Sequence, residues 1–263
     1  MHPILFNVGP WPVYSYGVLL AASYLAGLWM AVARARRAGV DSGRVLDLGI
    51  YLIIAALVGA KLMLVLVDVR YFANEPGEML SLVRAGGIFY GGLIAAGGTA
   101  WMMAGRYGLP LWTTADLVAP AVAFGHMIGR VGCLLAGCCY GRPTAVPWAV
   151  TFTDPVAAAN VGTPLDVPLH PTQLYDGGVE LLILIVLLAI ERKGAGFAGR
   201  TFSLYILLYA SARFFVEFYR GDERGMLAGL STSQVVSLAM VPIAVLMWRR
   251  LRVREHEPAP GLA

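Results

Sequence analysis

Seven stretches of almost unbroken apolar side chains recur along the chain, at about 13–35, 46–68, 88–106, 115–135, 172–191, 200–219 and 231–249. Each is close to the roughly 20 residues that a helix needs to cross a bilayer core about 30 Å thick. The pattern predicts an all-α integral membrane protein of seven transmembrane helices, organised as a single domain over residues 1–263 with no polar domain set between the spans. The longest connection, about 136–171, carries Gly137, Gly141, Pro143, Pro147, Pro155, Pro164 and Pro168 and is too broken to be a span. Within it Trp148, Val150 and Phe152 alternate as in a short strand, so it reads either as a small ordered cap or as a linker. The opening residues MHPILFNVGPWPVYS place no basic region ahead of the first apolar run, which predicts a retained first span and not a cleaved signal peptide. The tail EHEPAPGLA reads as a short frayed end.

Composition removes the other broad classes. The chain is 58% hydrophobic and 14% charged, with a mean hydropathy of +0.69. Soluble domains carry about 25% charged residues, and disordered chains are poorer still in apolar side chains. The net charge of +4 is unevenly spread. Twelve cations fall in the connections after the first, third, fifth and seventh stretches: Arg34, Arg36, Arg37, Arg44, Arg106, Arg192, Lys193, Arg200, Arg249, Arg250, Arg252 and Arg254. Arg70, Arg84, Arg142, Arg220 and Arg224 occupy the opposite, longer connections. The excess of basic residues on the cytoplasmic side sets orientation, so the amino terminus is expected outside and the carboxyl terminus in the cytoplasm.

Ionisable side chains inside a span cost roughly 2.5–3.5 kcal/mol on insertion scales and usually face protein or a wet cavity. Lys61, Asp116, His126, Arg130, Arg213 and Glu217 are candidates of this kind. With the predicted orientation, Arg130, Arg213 and Glu217 gather at the outer leaflet. GGIFYGG (86–92), HPTQLYD (170–176) and Tyr14 and Tyr16 at the head of the first span reach the same level. A transporter would be expected to hold its polar groups near the midplane, so chemistry at the membrane surface is the better reading.

Arg213, Glu217 and Arg220 stand at spacings of four and three, which puts them on one face of a helix. Counted with Arg130 they make three cations to one anion, leaving guanidinium forks to grip a phosphate bidentately. The alternative is a packing ion pair with Arg220 as an interface anchor. Gly91, Gly92, Gly97 and Gly98 read as close helix packing, or else as a lipid-facing groove. His126 reads as a hydrogen-bonded interior histidine, and Asp47 and Asp116 as solvated or helix-start residues.

GRVGCLLAGCCYGRPT (129–144), GGIFYGGLIAAGG (86–98), HPTQLYD (170–176) and RFFVEFYRGD (213–222), with SYG (15–17) and STSQ (231–234), resemble in order and spacing the prolipoprotein diacylglyceryl transferases. That resemblance spans nearly the whole chain. It implies transfer of the diacylglyceryl group of phosphatidylglycerol to the lipobox cysteine of a prolipoprotein signal peptide, with release of glycerol phosphate, in the bacterial cytoplasmic (inner) membrane. It also implies that Arg130 holds the lipid phosphate and that Arg213 is the second essential arginine. Glu217 and Arg220 complete that helical motif, Gly141 closes the signature, and Tyr16 is a functional tyrosine of the first span. Arg142, His170, Gln173 and Tyr175 are the further candidates for substrate binding. No cofactor or metal is required by this chemistry, and no nucleic acid partner is expected.

Four positions depart from the family pattern. Tyr90 stands where the best-known members have a histidine before GGL. An ordinary tyrosine pKa near 10 suits a hydrogen-bonding group better than a base. The thiol proton then leaves with the help of the arginines, or goes to His170, whose other reading is a turn residue before Pro171. Cys133 and Cys138 replace an asparagine and a glutamate, and Lys61 replaces an arginine. C-x4-C-C is a poor match to zinc-site spacing, so Cys133, Cys138 and Cys139 are expected as a disulfide with one free thiol, or as small buried apolar residues. The alternative function is a paralogue of the same fold acting on a different phospholipid or acceptor.

Overall fold

The structure is a computed structural model that describes residues 2–75, 77, 87–194, 196–222 and 225–256, with side chains to residue 253. Arg84, Gly86 and Arg224, the side chain of Arg254 and the tail from residue 257 lie outside the described residues. The described chain is helical apart from three two-stranded ribbons. Six helices are long and apolar enough to cross a membrane: α1 (Ser15–Arg37), α2 (Ser42–Val67), α5 (Leu111–Ala136), α7 (Thr172–Arg192), α8 (Arg200–Val216, continued to Tyr219 by a 3-10 turn) and α9 (Thr232–His256). The third apolar stretch forms α4 (Phe89–Tyr107) but is not among the six, because five glycines dilute its apolar content. Two short helices, α3 (Val69–Asn74) and α6 (Pro155–Val161), lie in the connections.

The chain divides into two compact units. One comprises residues 28–114, the other residues 1–27 with 115–263. In the first, α2 and α4 pack along their lengths. A Cβ on Gly59 would lie 2.6 Å from Gly91 O, and one on Gly92 would lie 2.8 Å from Ala56 O, so these glycines let the two backbones touch. Gly97 and Gly98 have no described atom that a Cβ would meet and do no such packing. The start of α4 is tied to α2 by Ile88 N–H donating to Ala60 O at 3.0 Å, and Asp41 caps α2 by accepting from Gly43 and Arg44 N–H.

In the second unit α7, α8 and α9 pack side by side. The ribbon of β1 (Ile4–Val8) and β2 (Trp11–Tyr14) leads into α1, and α1 meets α5 where Gly125 approaches Ser23 O. Asp116 is neither solvated nor a cap of its own helix. It sits half-buried one turn into α5 and accepts from Gly199 N–H at 2.7 Å and Phe202 N–H at 2.8 Å, supplying from a neighbouring helix the partner that the start of α8 lacks.

The 136–171 connection is an ordered cap. β3 (Val150–Thr151) pairs antiparallel with β4 (Pro168–Leu169), α6 begins at an Asp154 cap, and Phe152 and Leu169 are fully buried.

Candidate active site

The cap brings three distant segments into register. Gly141 N–H donates to His170 O at 3.1 Å, Arg142 N–H to Tyr219 O at 2.9 Å, and Gly221 N–H to Tyr140 O at 3.1 Å. A Cβ on Gly141 would lie 2.6 Å from His170 Cβ and 2.8 Å from Tyr219 O, so only glycine fits where these strands cross. The same pairing takes the chain out of helix after Tyr219. Arg220 is extended at φ −71° and ψ 139°, and forms an isolated bridge with Gly141. The single helix face expected for Arg213, Glu217 and Arg220 therefore breaks at the last of them. Arg220 reaches the others because backbone pairing with the cap carries it there.

The side chains converge on Asp176, in the second turn of α7 and 5% exposed. Arg130 Nη2 lies 3.2 Å from Asp176 Oδ2 without hydrogen-bond alignment. Arg213 Nη1 lies 3.7 Å from Oδ1, and Arg220 Nη1 lies 3.8 Å from Oδ2. Each guanidinium has a second anchor: Arg213 Nη2 pairs with Glu217 at 2.5 Å, and Arg220 grips Asp222 bidentately at 2.9 and 2.7 Å. Arg130 Nε–H donates to His126 Nε2 at 3.1 Å, which leaves the proton of a neutral ring on Nδ1, facing the fully buried Glu180.

The expectation of three cations to one anion is thus corrected. Asp176 and Glu180 join Glu217, because α7 contacts both α5 and α8 and turns its carboxylates toward them, and Asp222 joins from the segment after α8. The sequence signal was available: Asp176 and Glu180 are four apart inside an apolar stretch, where a carboxylate needs a partner.

Two donors in this buried cluster remain without a hydrogen bond among the described residues: Nη1 of Arg213, a residue 8% exposed, and Nη1 of Arg220, a residue 4% exposed. Both face Asp176 from beyond hydrogen-bond distance, so each keeps a donor unused among the described residues.

An aromatic wall adjoins the arginines. His170 Nδ1 and Tyr175 Oη are 3.0 Å apart, Trp148 Nε1–H donates to Tyr175 Oη at 2.7 Å, and the Tyr219 ring packs edge-on to His170 with centroids 5.1 Å apart. Trp148 lies outside the quoted motifs, and Tyr219 lies inside RFFVEFYRGD without being singled out by it. Arg142 Nε–H donates to Arg220 O at 3.1 Å, and Gln173 Nε2–H to Cys138 O at 2.7 Å, so both side chains fasten loop backbone. Tyr16 lies in the first turn of α1 with its ring against Gly132 of α5. Tyr90, in the other unit, occupies the first turn of α4, edge-on to Phe89 at 5.8 Å.

Cys133, Cys138 and Cys139 are all free thiols, and their sulfurs lie within 4.8 Å of one another. Hydrogen bonding with the other two thiols pushes the Cys138 thiol up. Hydrogen bonds with Cys133 and Cys138, followed by the guanidiniums of Arg220 and Arg130, push the Cys139 thiol down against the effect of its burial.

A family model described as prolipoprotein diacylglyceryl transferase matches residues 3–250. A phosphatidylglycerol–prolipoprotein diacylglyceryl transferase of Clostridium tetani is 35% identical over 97% of this chain and 100% of its own length. Proteins of the same name from Finegoldia magna and Bacillus cereus are 31% and 32% identical, over 94% and 92% of this chain and 94% and 89% of theirs. With the signature arginines, the cap and its glycine crossing in place, the chain belongs to the prolipoprotein diacylglyceryl transferase family.

Proposed function

We propose that this protein transfers the diacylglyceryl group of phosphatidylglycerol to the thiol of a prolipoprotein's lipobox cysteine. The observation that carries the site assignment is the pair of buried Nη1 donors of Arg213 and Arg220, which face Asp176 beside Arg130 from beyond hydrogen-bond distance. Guanidinium forks match a phosphate diester, and charge develops on its oxygen as the glyceryl carbon–oxygen bond breaks. The incoming sulfur forms the thioether bond, glycerol phosphate leaves, and the thiol proton passes to solvent or a local base. Positioned cations lower the barrier because they meet the leaving phosphate more strongly in the transition state than in the bound lipid.

In this reading Arg130 and Arg213 hold the phosphate, Glu217 fixes the angle of Arg213, and Arg220 closes the third side. Gly141 permits the crossing that delivers Arg220, while Arg142 and Gln173 keep the cap in register. His170 and Tyr175 line the approach of the peptide, and Tyr16 supplies a hydrogen bond. We assign seven spans by adding α4 to the six apolar helices. The uneven distribution of cations supports an external amino terminus, a site open to the outer leaflet, and residence in the bacterial inner membrane.

The test is a proteoliposome assay with phosphatidylglycerol labelled in its diacylglyceryl part and a lipobox peptide bearing one cysteine. A Cys→Ser peptide and Arg130→Ala protein run beside it. Label on the cysteine peptide alone, lost in Arg130→Ala, is the expected result. Absence of label with well-folded protein overturns the proposal and directs a screen of other phospholipids.

A further inference from the structure

The three cysteines are distributed in a way that disguises their proximity. Cys133 lies in the last turn of α5, which ends at Ala136, and Cys138 and Cys139 follow in the connection. Gly137 at φ 81° and Cys139 at φ 61° reverse the chain there. The reversal folds the connection back over the helix end and defeats the linear spacing rule by which C-x4-C-C looks unsuited to a metal. For a non-glycine residue such as Cys139 a positive φ is sparsely populated.

The conformation is held from outside. Thr172 Oγ1–H donates to Cys139 O at 2.7 Å and Gln173 Nε2–H to Cys138 O at 2.7 Å, both from fully buried side chains at the start of α7. Gly137 is fixed in turn, its carbonyl accepting from Thr163 Oγ1 at 3.1 Å. The sulfurs are therefore presented by a braced loop.

We propose that Cys133, Cys138 and Cys139 form a binding site for one soft, thiophilic d10 cation of the Zn(II) class, held by three thiolates. A metal–sulfur bond of about 2.3 Å sets sulfurs about 3.8–4.0 Å apart in tetrahedral or trigonal arrangements. Separations within 4.8 Å reach that with small rotations about the Cα–Cβ bonds. Thiolate sulfur selects soft ions over Mg(II) or Ca(II).

Charge favours the same assignment. Three thiolates and a divalent ion leave one net negative charge, and Arg220 and Arg130 both act on Cys139. Cys133 is buried whereas Cys138 and Cys139 are partly open, which gives the ion an access route. Each thiol that is still protonated surrenders its proton to solvent on binding, so the complex weakens in acid.

The site adjoins two arginines of the proposed transfer reaction, Arg130 and Arg220, and its test does not use activity. Purified, fully reduced protein in detergent is titrated with Cd(II), a spectroscopic surrogate for Zn(II). The expected result is a thiolate-to-metal ultraviolet band that saturates at one ion per chain and is displaced by Zn(II). Cys138→Ser should weaken binding by about a hundredfold, on the scale of lost ligand-shell contacts, and the triple variant Cys133→Ser/Cys138→Ser/Cys139→Ser should abolish the band. Alkylation mapping of the wild-type protein gives an independent readout, with all three thiols protected by the ion. No band in reduced wild-type protein, a band that survives in the triple variant, or thiols equally reactive with and without Cd(II) would overturn the proposal.

Discussion

Arg213 faces Asp176 across 3.7 Å, both side chains buried and neither within hydrogen-bond distance of the other. This is an ion pair held slightly open. Asp176 answers three guanidiniums at once, so its carboxylate offsets the repulsion among cations that would otherwise be confined in one low-dielectric space.

Asp176→Asn keeps the side-chain volume and removes that charge. The variant is expected to lose about 3–5 kcal/mol of stability, the usual cost of stripping one partner from a buried ionic network, read as a lower unfolding temperature in detergent. Phosphatidylglycerol should raise that temperature more in the variant than in the wild type, because the lipid phosphate then supplies the missing anion. An unchanged unfolding temperature would remove Asp176 from its central role.

Arg213→Lys retains the positive charge and gives up the planar fork. Glu217 and the open space beside Asp176 are met by different nitrogens of Arg213, and one ammonium does not span both. The expected loss in kcat/KM is about 10²–10³, the range for deleting a single positioned donor, with Arg213→Ala no more than tenfold worse. Full activity in the lysine variant would mean that a point charge suffices.

Gly141→Ala places a methyl group against the backbone of His170 and Tyr219. These are carbonyl and main-chain contacts that cannot swing aside, so the strand crossing must open and Arg220 must shift with it. Overpacking of this kind costs about 1–3 kcal/mol, and transfer activity should fall by more than the stability change alone implies. Gly97→Ala, at a helical position with no described atom in the way of a Cβ, is the matched control. It should be neutral, or stabilising by up to about 1 kcal/mol. Equal effects at the two positions would refute the crossing as the reason for Gly141.

The apolar stretches were legible because membrane helices advertise themselves in length and hydropathy, and their positions agree with α1, α2, α4, α5, α7, α8 and α9 to within several residues at each end. Arg130 and Arg213 were legible for the complementary reason, since an arginine in an apolar helix needs an explanation. Asp176 and Glu180 satisfy the same criterion, yet their roles depend on which helix faces which, and that is settled by packing. Arg220 illustrates the limit differently. Its helical spacing from Glu217 suggested the right neighbour by the wrong geometry, because the pairing with Gly141 is a contact between residues far apart in sequence. The sulfurs of Cys133, Cys138 and Cys139 were hidden for that reason too: a left-handed turn sets their separation, and residue spacing does not encode it.

Asp116→Ala removes the acceptor for Gly199 and Phe202 N–H at the start of α8 while leaving the opposite end of that helix, with Arg213, untouched. The loss expected for a missing helix cap is about 0.5–2 kcal/mol. KM and kcat measured below the unfolding transition should stay within about twofold of wild type. A large change in kcat with unchanged stability would place Asp116 in the chemistry and contradict its assignment as a cap.

Cys139 and Cys138 are neighbours whose thiols are pushed in opposite directions. A depressed pKa means that Cys139 holds more thiolate at a given pH than an ordinary cysteine does. A raised pKa keeps Cys138 protonated through the neutral range. The thiolate is the form that reacts with iodoacetamide. In chelator-treated, reduced protein, alkylation of Cys139 should therefore set in at lower pH than alkylation of Cys138. Peptide mapping by mass spectrometry separates the two sites. Arg220→Gln removes a guanidinium that holds Cys139 down, so the pH profile of Cys139 should move toward higher pH in that variant. A profile for Cys139 that parallels Cys138 in the wild type, or one unmoved in Arg220→Gln, would show that the arginines do not set the state of this thiol.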